Sequence, residues 1–343
     1  MTNEDLLKLV ETSDYDFLRT NRVLKNNLLF LTLGGSHAYG TNNENSDVDV
    51  RGVFGNTREM LHGFTNCEQV VDNNTDTCIY NVSKFFTLIL DCNPNTIELL
   101  GCNPEHYLMV SRAGKLLLDN KKLFLSQRAI KSFGGYAYAQ LNRLLNAQGR
   151  NSENSIEQEE SMLRSMKAGM QSYNTRYAKF DDCNIKLYID SSNKTDLEKE
   201  IFCDIKLTHY PLRDLNGILN ENNNILKQYA KVNHRNNKKD IPHLCKHAMH
   251  LIRLYMMGFD LLENEEINTY RTGKDHKLLM DIRNGKYLDE DNNFNQEFKE
   301  LLTHYQNRFE YASKNTCLPI HPDMKKTEEL LIQINEWSLV YGN

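Results

Sequence analysis

No cysteine in the chain stands three positions from another, and no His-Glu-x-x-His run occurs. That argues against a zinc ribbon, a Cys-x-x-Cys redox motif and a zincin-type centre. The eight cysteines are scattered, and they read as reduced thiols of a cytosolic protein. Basic charge is not in excess either: 41 Lys and Arg face 46 Asp and Glu, for a net charge of −5. A protein that coats nucleic acid along its length needs many more cations than that, whereas a short RNA terminus needs few. Prolines number only six, and neither an internal repeat nor a long low-complexity tract is present. Residues 1–10 carry acidic side chains and no long apolar run, so the expectation is a cytoplasmic chain with no signal peptide and no membrane span.

What is present is the composition of a folded, helix-leaning protein, 40% hydrophobic and 25% charged, whose 343 residues suffice for two domains. The expected fold class is α+β. A mixed sheet with helices would occupy residues 1–125, and a mainly helical part that closes a cleft would occupy 126–343. Apolar spacing predicts a helix over 3–25 and a buried strand over 27–33 that runs into Gly34 and Gly35. Alternation predicts a strand over 46–54, with Asp47, Asp49 and Arg51 on one face, and another over 76–80. Ser83 would cap a helix over 84–90, and another would start at Thr96 after the break at Asn93-Pro94-Asn95. Further helices are predicted over 126–145, 241–262 and 322–340. Residues 185–189 and 201–207 are read as a small hairpin or an irregular connection, 151–160 as a loop or exposed helix start, and 220–240 as a solvated connector.

One run concentrates the chemistry. The strand delivers Gly34 and Gly35 to a turn where missing Cβ atoms let a ligand approach the backbone, and Ser36 opens a helix whose exposed N–H groups suit a phosphate. The chain returns with Asp47 and Asp49 two apart, so both carboxylates aim at the space before that helix. Paired carboxylates repel unless a cation lies between them, and Mg²⁺ prefers oxygen ligands together with substrate phosphates. Two Mg²⁺ ions, with Mn²⁺ as a substitute, would clamp an in-line phosphoryl displacement of a nucleoside triphosphate. Asp76 is the candidate third carboxylate, with Asp72 and Glu68 as competitors. Thr41, Ser46 and Arg51 complete the polar lining on this side.

These residues resemble a known family. Gly35-Ser36 followed by Asp47-Val48-Asp49 is similar to the signature of the DNA polymerase β superfamily of nucleotidyltransferases. The longer runs from Gly35 to Thr41 and from Ser46 to Gly52, with Asn93-Pro94-Asn95 and Glu98-Leu99-Leu100, resemble the RNA-repair group called RlaP. So do the runs from Lys246 to Leu254 and from Asp281 to Gly285. The resemblance implies that Asp47 and Asp49 bind both metals, that Asp76 completes the triad and that Gly35 and Ser36 hold the triphosphate. It also implies an RNA 3′ end as acceptor. A protein or small-molecule hydroxyl, and a catalytically silent RNA-binding adaptor, stay open as alternatives.

A second wall is read from residues 241–262, where Lys246, His250 and Arg253 fall on one polar stripe able to meet phosphates or a base, or simply to face solvent. Arg271, Lys274 and Arg283 would add to the same positive surface. Tyr39, Tyr136 and Tyr138 read as packing aromatics, and Asn95 and Glu98 as structural residues beneath the site.

Overall fold

The computed structural model describes residues 3–44, 46–151, 184–191, 199–233 and 241–341. It is α+β, with a five-stranded mixed sheet in the N-terminal region and helices dominating the C-terminal half. The strands are β1 (Leu28–Leu33), β2 (Val50–Phe54), β3 (Gln69–Asp72), β4 (Thr77–Asn81) and β5 (Tyr107–Val110), in the spatial order β3-β4-β2-β1-β5. All six residues of β1 are buried, as its mainly apolar run requires of a strand with neighbours on both sides and helices over its faces, and the Thr32 hydroxyl donates to the His106 carbonyl. It runs antiparallel to β2 and β5, and β2 runs parallel to β4. Phe30 meets Phe85 and Tyr107 edge-on in the core beside the sheet.

Two compact units divide the chain. The first joins Met1–Gln140 with Ala248–Asn343, and the second is Leu141–His247. The sheet therefore shares its unit with the C-terminal helices Gly273–Arg283, Gln296–Asn315 and Met324–Tyr341, a different grouping from a boundary after residue 125. Within the second unit, β6 (Asn184–Ser191) pairs antiparallel with β7 (Lys199–Lys206), which is the hairpin and not an irregular connection.

Several expected elements change in detail. The single helix over 3–25 is instead Asn3–Val10, a 3₁₀ turn Ser13–Tyr15 and a short helix Phe17–Thr20. The break comes at Thr12-Ser13-Asp14, residues that compete with helix through their own hydrogen bonds. The Arg19 guanidinium then satisfies the carbonyls of Val10, Glu11 and Thr12. Asn81, not Ser83, caps Val82–Leu90, its side chain accepting from the Ser83 amide at 2.9 Å. Asn93 caps Pro94–Ile97, and the chain continues as a 3₁₀ turn over Glu98–Gly101. The asparagine-rich stretch read as a connector belongs largely to the helix Leu215–Asn233, with Ile218 buried; the rest of it, 234–240, lies outside the described residues, as do 152–160. Strands β3 and β5 were not anticipated: each is four residues long and half exposed, too short for alternation to mark it.

The long helix Ile241–Asn264 forms as predicted, and nearly every residue from Ala248 to Phe259 is buried. Such a helix has no solvent stripe over that span, so its polar side chains must find partners inside. No helix among the described residues is long and apolar enough to cross a membrane.

Candidate active site

The strand pairing places the carboxylates. β1 ends at Leu33 opposite Val50, and the chain then turns into the one-turn helix Gly35–Tyr39. Among the described residues the ladder of β1 does not extend past Val50, so the strand expected over 46–54 begins only there, and Asp47 and Asp49 lie on the loop that enters it. The last link to β1 is the Gly34 amide donating to the Asp49 carbonyl at 2.8 Å. Asp47 is exposed and the Asp49 side chain is 19% exposed.

Gly35 sits at φ +54°, and a Cβ there would overlap the Asp49 Oδ2 oxygen and lie 2.9 Å from its carboxyl carbon. A glycine is required both by the left-handed backbone and by the carboxylate packed against it. The helix closes at Gly40, φ +74°, where a Cβ would meet the Tyr270 ring at 2.6 Å. Ser36 is buried, and its carbonyl accepts the Thr41 amide at 2.9 Å.

Arg51 ties the carboxylates together. Its Nη2 lies 3.5 Å from Asp49 Oδ1 and 3.3 Å from Asp76 Oδ1, and its Nη1 donates to the carbonyls of Val50 and Asp76. Arg51 stands opposite Cys78 in the parallel β2–β4 pair, so Asp76 enters β4 at the level where Asp49 enters β2. Asp76 is a turn residue at φ +45°, with its side chain 71% exposed. The competitors are engaged elsewhere. Asp72 accepts from the Thr75 amide and hydroxyl, which hold its carboxyl below the usual range, and Glu68 pairs with Lys84 at 2.9 Å. Among the described residues no three His, Cys, Asp or Glu side chains are grouped closely enough to hold an ion.

Beneath the glycine turn lies a buried polar cluster. Arg253, the expected second-wall residue, is 4% exposed; it pairs with Glu98 at 3.1 Å and its guanidinium lies 3.5 Å from the Tyr39 ring centroid. The Tyr39 hydroxyl donates to the other Glu98 oxygen at 2.9 Å. Burial opposes the Arg253 charge, but Tyr39 and Glu98 outweigh it and keep the group cationic, while burial pushes the Tyr39 phenol well up. His250 meets the Tyr39 ring edge-on. Lys246 is exposed and belongs to the second compact unit. Tyr39 packs as expected, whereas Tyr138 is exposed.

The segment after the long helix braces this cluster. Thr269 donates its hydroxyl to the Glu98 carbonyl at 2.6 Å and its amide to Gly101, and the Arg271 amide donates to the Tyr39 carbonyl at 3.1 Å. Arg271 is itself buried and paired with Asp260 at 2.7 Å. Arg283 donates to the Thr41 carbonyl and to Ser46 Oγ. Thr41 is fully buried, and its hydroxyl has no hydrogen-bond partner among the described residues. The structure thus gathers Gly35, Asp49, Arg51 and Asp76 by direct contact, and Thr41 and Ser46 through Arg283. Sequence reasoning missed the brace because its partners lie more than 150 positions apart, beyond any local spacing.

The Asp49 carboxylate against Gly35, joined through Arg51 to the Asp76 carboxylate, offers oxygen donors of the kind a hard divalent cation takes. Residues 9–333 match the family described as RlaP, RNA repair pathway DNA polymerase beta family. An uncharacterised 38.9 kDa protein encoded in the nrdC–mobD intergenic region of Enterobacteria phage T4 is 30% identical over 122 residues, covering 32% of this chain and 36% of that protein. The chain thus spans about a third of the length of that curated relative. No solved structure matches.

Proposed function

The chain belongs to the RlaP family of the RNA repair pathway, and from that premise we propose that it is a nucleotidyltransferase that moves a nucleoside monophosphate from a nucleoside triphosphate to an RNA 3′ end. The observation that carries the reading is the seat of Asp49 against Gly35, with Arg51 as its counter-charge. It fixes a carboxylate directly against the glycine turn, which supports a site where a metal-bound triphosphate meets that turn.

Asp47 and Asp49 would hold Mg²⁺, with Mn²⁺ as a substitute, and Asp76, tied to the same arginine, is the proposed third carboxylate. When bound, the two ions supply a lowered pKa for the acceptor hydroxyl and charge neutralisation for the pyrophosphate leaving group. The acceptor oxygen forms its bond to the α-phosphorus as the bond to pyrophosphate breaks. Gly35 and Ser36 cradle the phosphates, and Arg51, released from Asp49, turns its charge toward them. Arg253, with Glu98 and Tyr39, fixes the floor under that turn, and His250, edge-on to Tyr39, would add to nucleotide binding from the same helix. The functional division proposed with this reading assigns nucleotide chemistry to 1–125 and acceptor binding to 126–343.

Four α-labelled nucleoside triphosphates offered to total RNA, purified cell protein and metabolites in parallel test the proposal. Mg²⁺-dependent label on RNA supports it. Label found only on protein or metabolites replaces the acceptor, and failure to bind any nucleotide with Mg²⁺ turns the reading to an RNA-binding adaptor.

A further inference from the structure

Arg283 ends the helix Gly273–Arg283, and its guanidinium reaches a loop more than two hundred residues earlier. Nη1 donates to the Thr41 carbonyl and Nη2 to Ser46 Oγ at 3.3 Å. Ser46 Oγ closes the loop on itself, accepting from the Asn43 amide at 2.8 Å and donating to Asn43 Oδ1 at 2.9 Å. The Ser46 amide donates to the Asn43 carbonyl at 3.0 Å, and His37 Nε2 lies 3.4 Å from the Ser46 carbonyl. One side chain therefore grips both ends of the segment from Thr41 to Ser46, and Asp47 follows directly. Burial works against the Arg283 charge, and among the described residues no ion pair offsets it. A cation kept half-buried without a carboxylate is costly unless its hydrogen bonds are needed where they are.

We propose that Arg283 is a positioning residue for nucleotidyl transfer: by fixing both ends of the 41–46 loop it sets where Asp47 stands relative to Asp49. The proposal rests on the reading of Asp47 and Asp49 as the metal-binding carboxylates. A guanidinium is suited to the task because its planar fork serves two acceptors at once, which a single ammonium on a flexible stem does not.

The test uses the full chain as wild type, Arg283→Ala, Arg283→Lys and Ser46→Ala. Backbone hydrogen exchange is read over 41–49, and kcat and KM are read for the nucleoside triphosphate. Removing the guanidinium should speed exchange in that segment by about tenfold or more, with the sheet and the long helix unchanged. It should lower kcat on the order of a hundredfold with KM for the nucleotide nearly constant. Lysine should fail to rescue, and Ser46→Ala, which removes one of the two acceptors and disturbs the fold least, should fall between. Unchanged exchange over 41–49 would overturn the proposal. So would a raised KM at constant kcat, which marks a group that merely binds nucleotide. Should the wild type transfer no nucleotide, the functional reading falls, and exchange alone then decides whether Arg283 fixes the loop.

Discussion

Replacing Gly35 with alanine puts the packing of the glycine turn against Asp49 to a direct trial. At φ +54° the new side chain meets the left-handed penalty, about 1–2 kcal/mol for a non-glycine residue. Its Cβ also occupies the place of Asp49 Oδ2, so the carboxylate must swing away, and Arg51 with it, since their charges lie 3.5 Å apart. A displacement of about 1 Å at a reacting group costs on the order of a hundredfold in rate. Gly35→Ala should therefore lose about 1–2 kcal/mol in urea denaturation and on the order of a hundredfold in kcat. Two other glycines serve as controls. Gly34 has an ordinary extended backbone, and a Cβ there would meet Arg51 Cγ at 2.7 Å, so Gly34→Ala should displace Arg51 without the left-handed penalty. Gly135 lies exposed inside a helix with nothing within 4 Å of a Cβ, and alanine there should stabilise by about 0.5–1 kcal/mol. Wild-type stability and turnover in Gly35→Ala would refute the packing of Asp49 against the turn.

Three further outcomes follow from the same geometry. Glu98→Ala strands the buried Arg253 and should cost about 3–5 kcal/mol in urea denaturation, whereas a loss below about 1 kcal/mol would show that the pair is solvated. Burial holds the His106 pKa below 6.5, so the unfolded chain binds its proton first as pH falls. Stability is full above about pH 6.5 and declines as pH drops from there through the folded value; His106→Phe, which keeps the edge contact with Tyr270, should flatten that part of the melting curve against pH. Arg51→Ala should weaken turnover without unfolding β2, and normal kcat in the variant would make Arg51 a bystander.

The local signals in the sequence were strong where one element carried them. The mainly apolar run of β1, the long helix Ile241–Asn264 and the β6–β7 hairpin form where periodicity put them. Asp49 lies against the glycine pair, though on a loop that enters β2 and not on a strand. What alternation could not reveal is that β1 stops at Leu33, leaving residues 46–49 outside the strand ladder. Nor could helical spacing separate a polar stripe facing solvent from one buried in the core. Arg253 shows the difference, because its partner Glu98 lies 155 positions away. Arg283 was visible only as one more positive charge. Its grip on Thr41 and Ser46 depends on tertiary placement of a helix that no local pattern encodes.

The most direct test of the central claim is transfer of α-labelled nucleotide to RNA by wild type and by Asp47→Ala, Asp49→Ala and the double variant, with and without Mg²⁺. All four proteins should share the same circular dichroism. The account predicts label on RNA and pyrophosphate release only for wild type with Mg²⁺, and essentially none once either carboxylate is gone. Equal transfer by wild type and the double variant would contradict it.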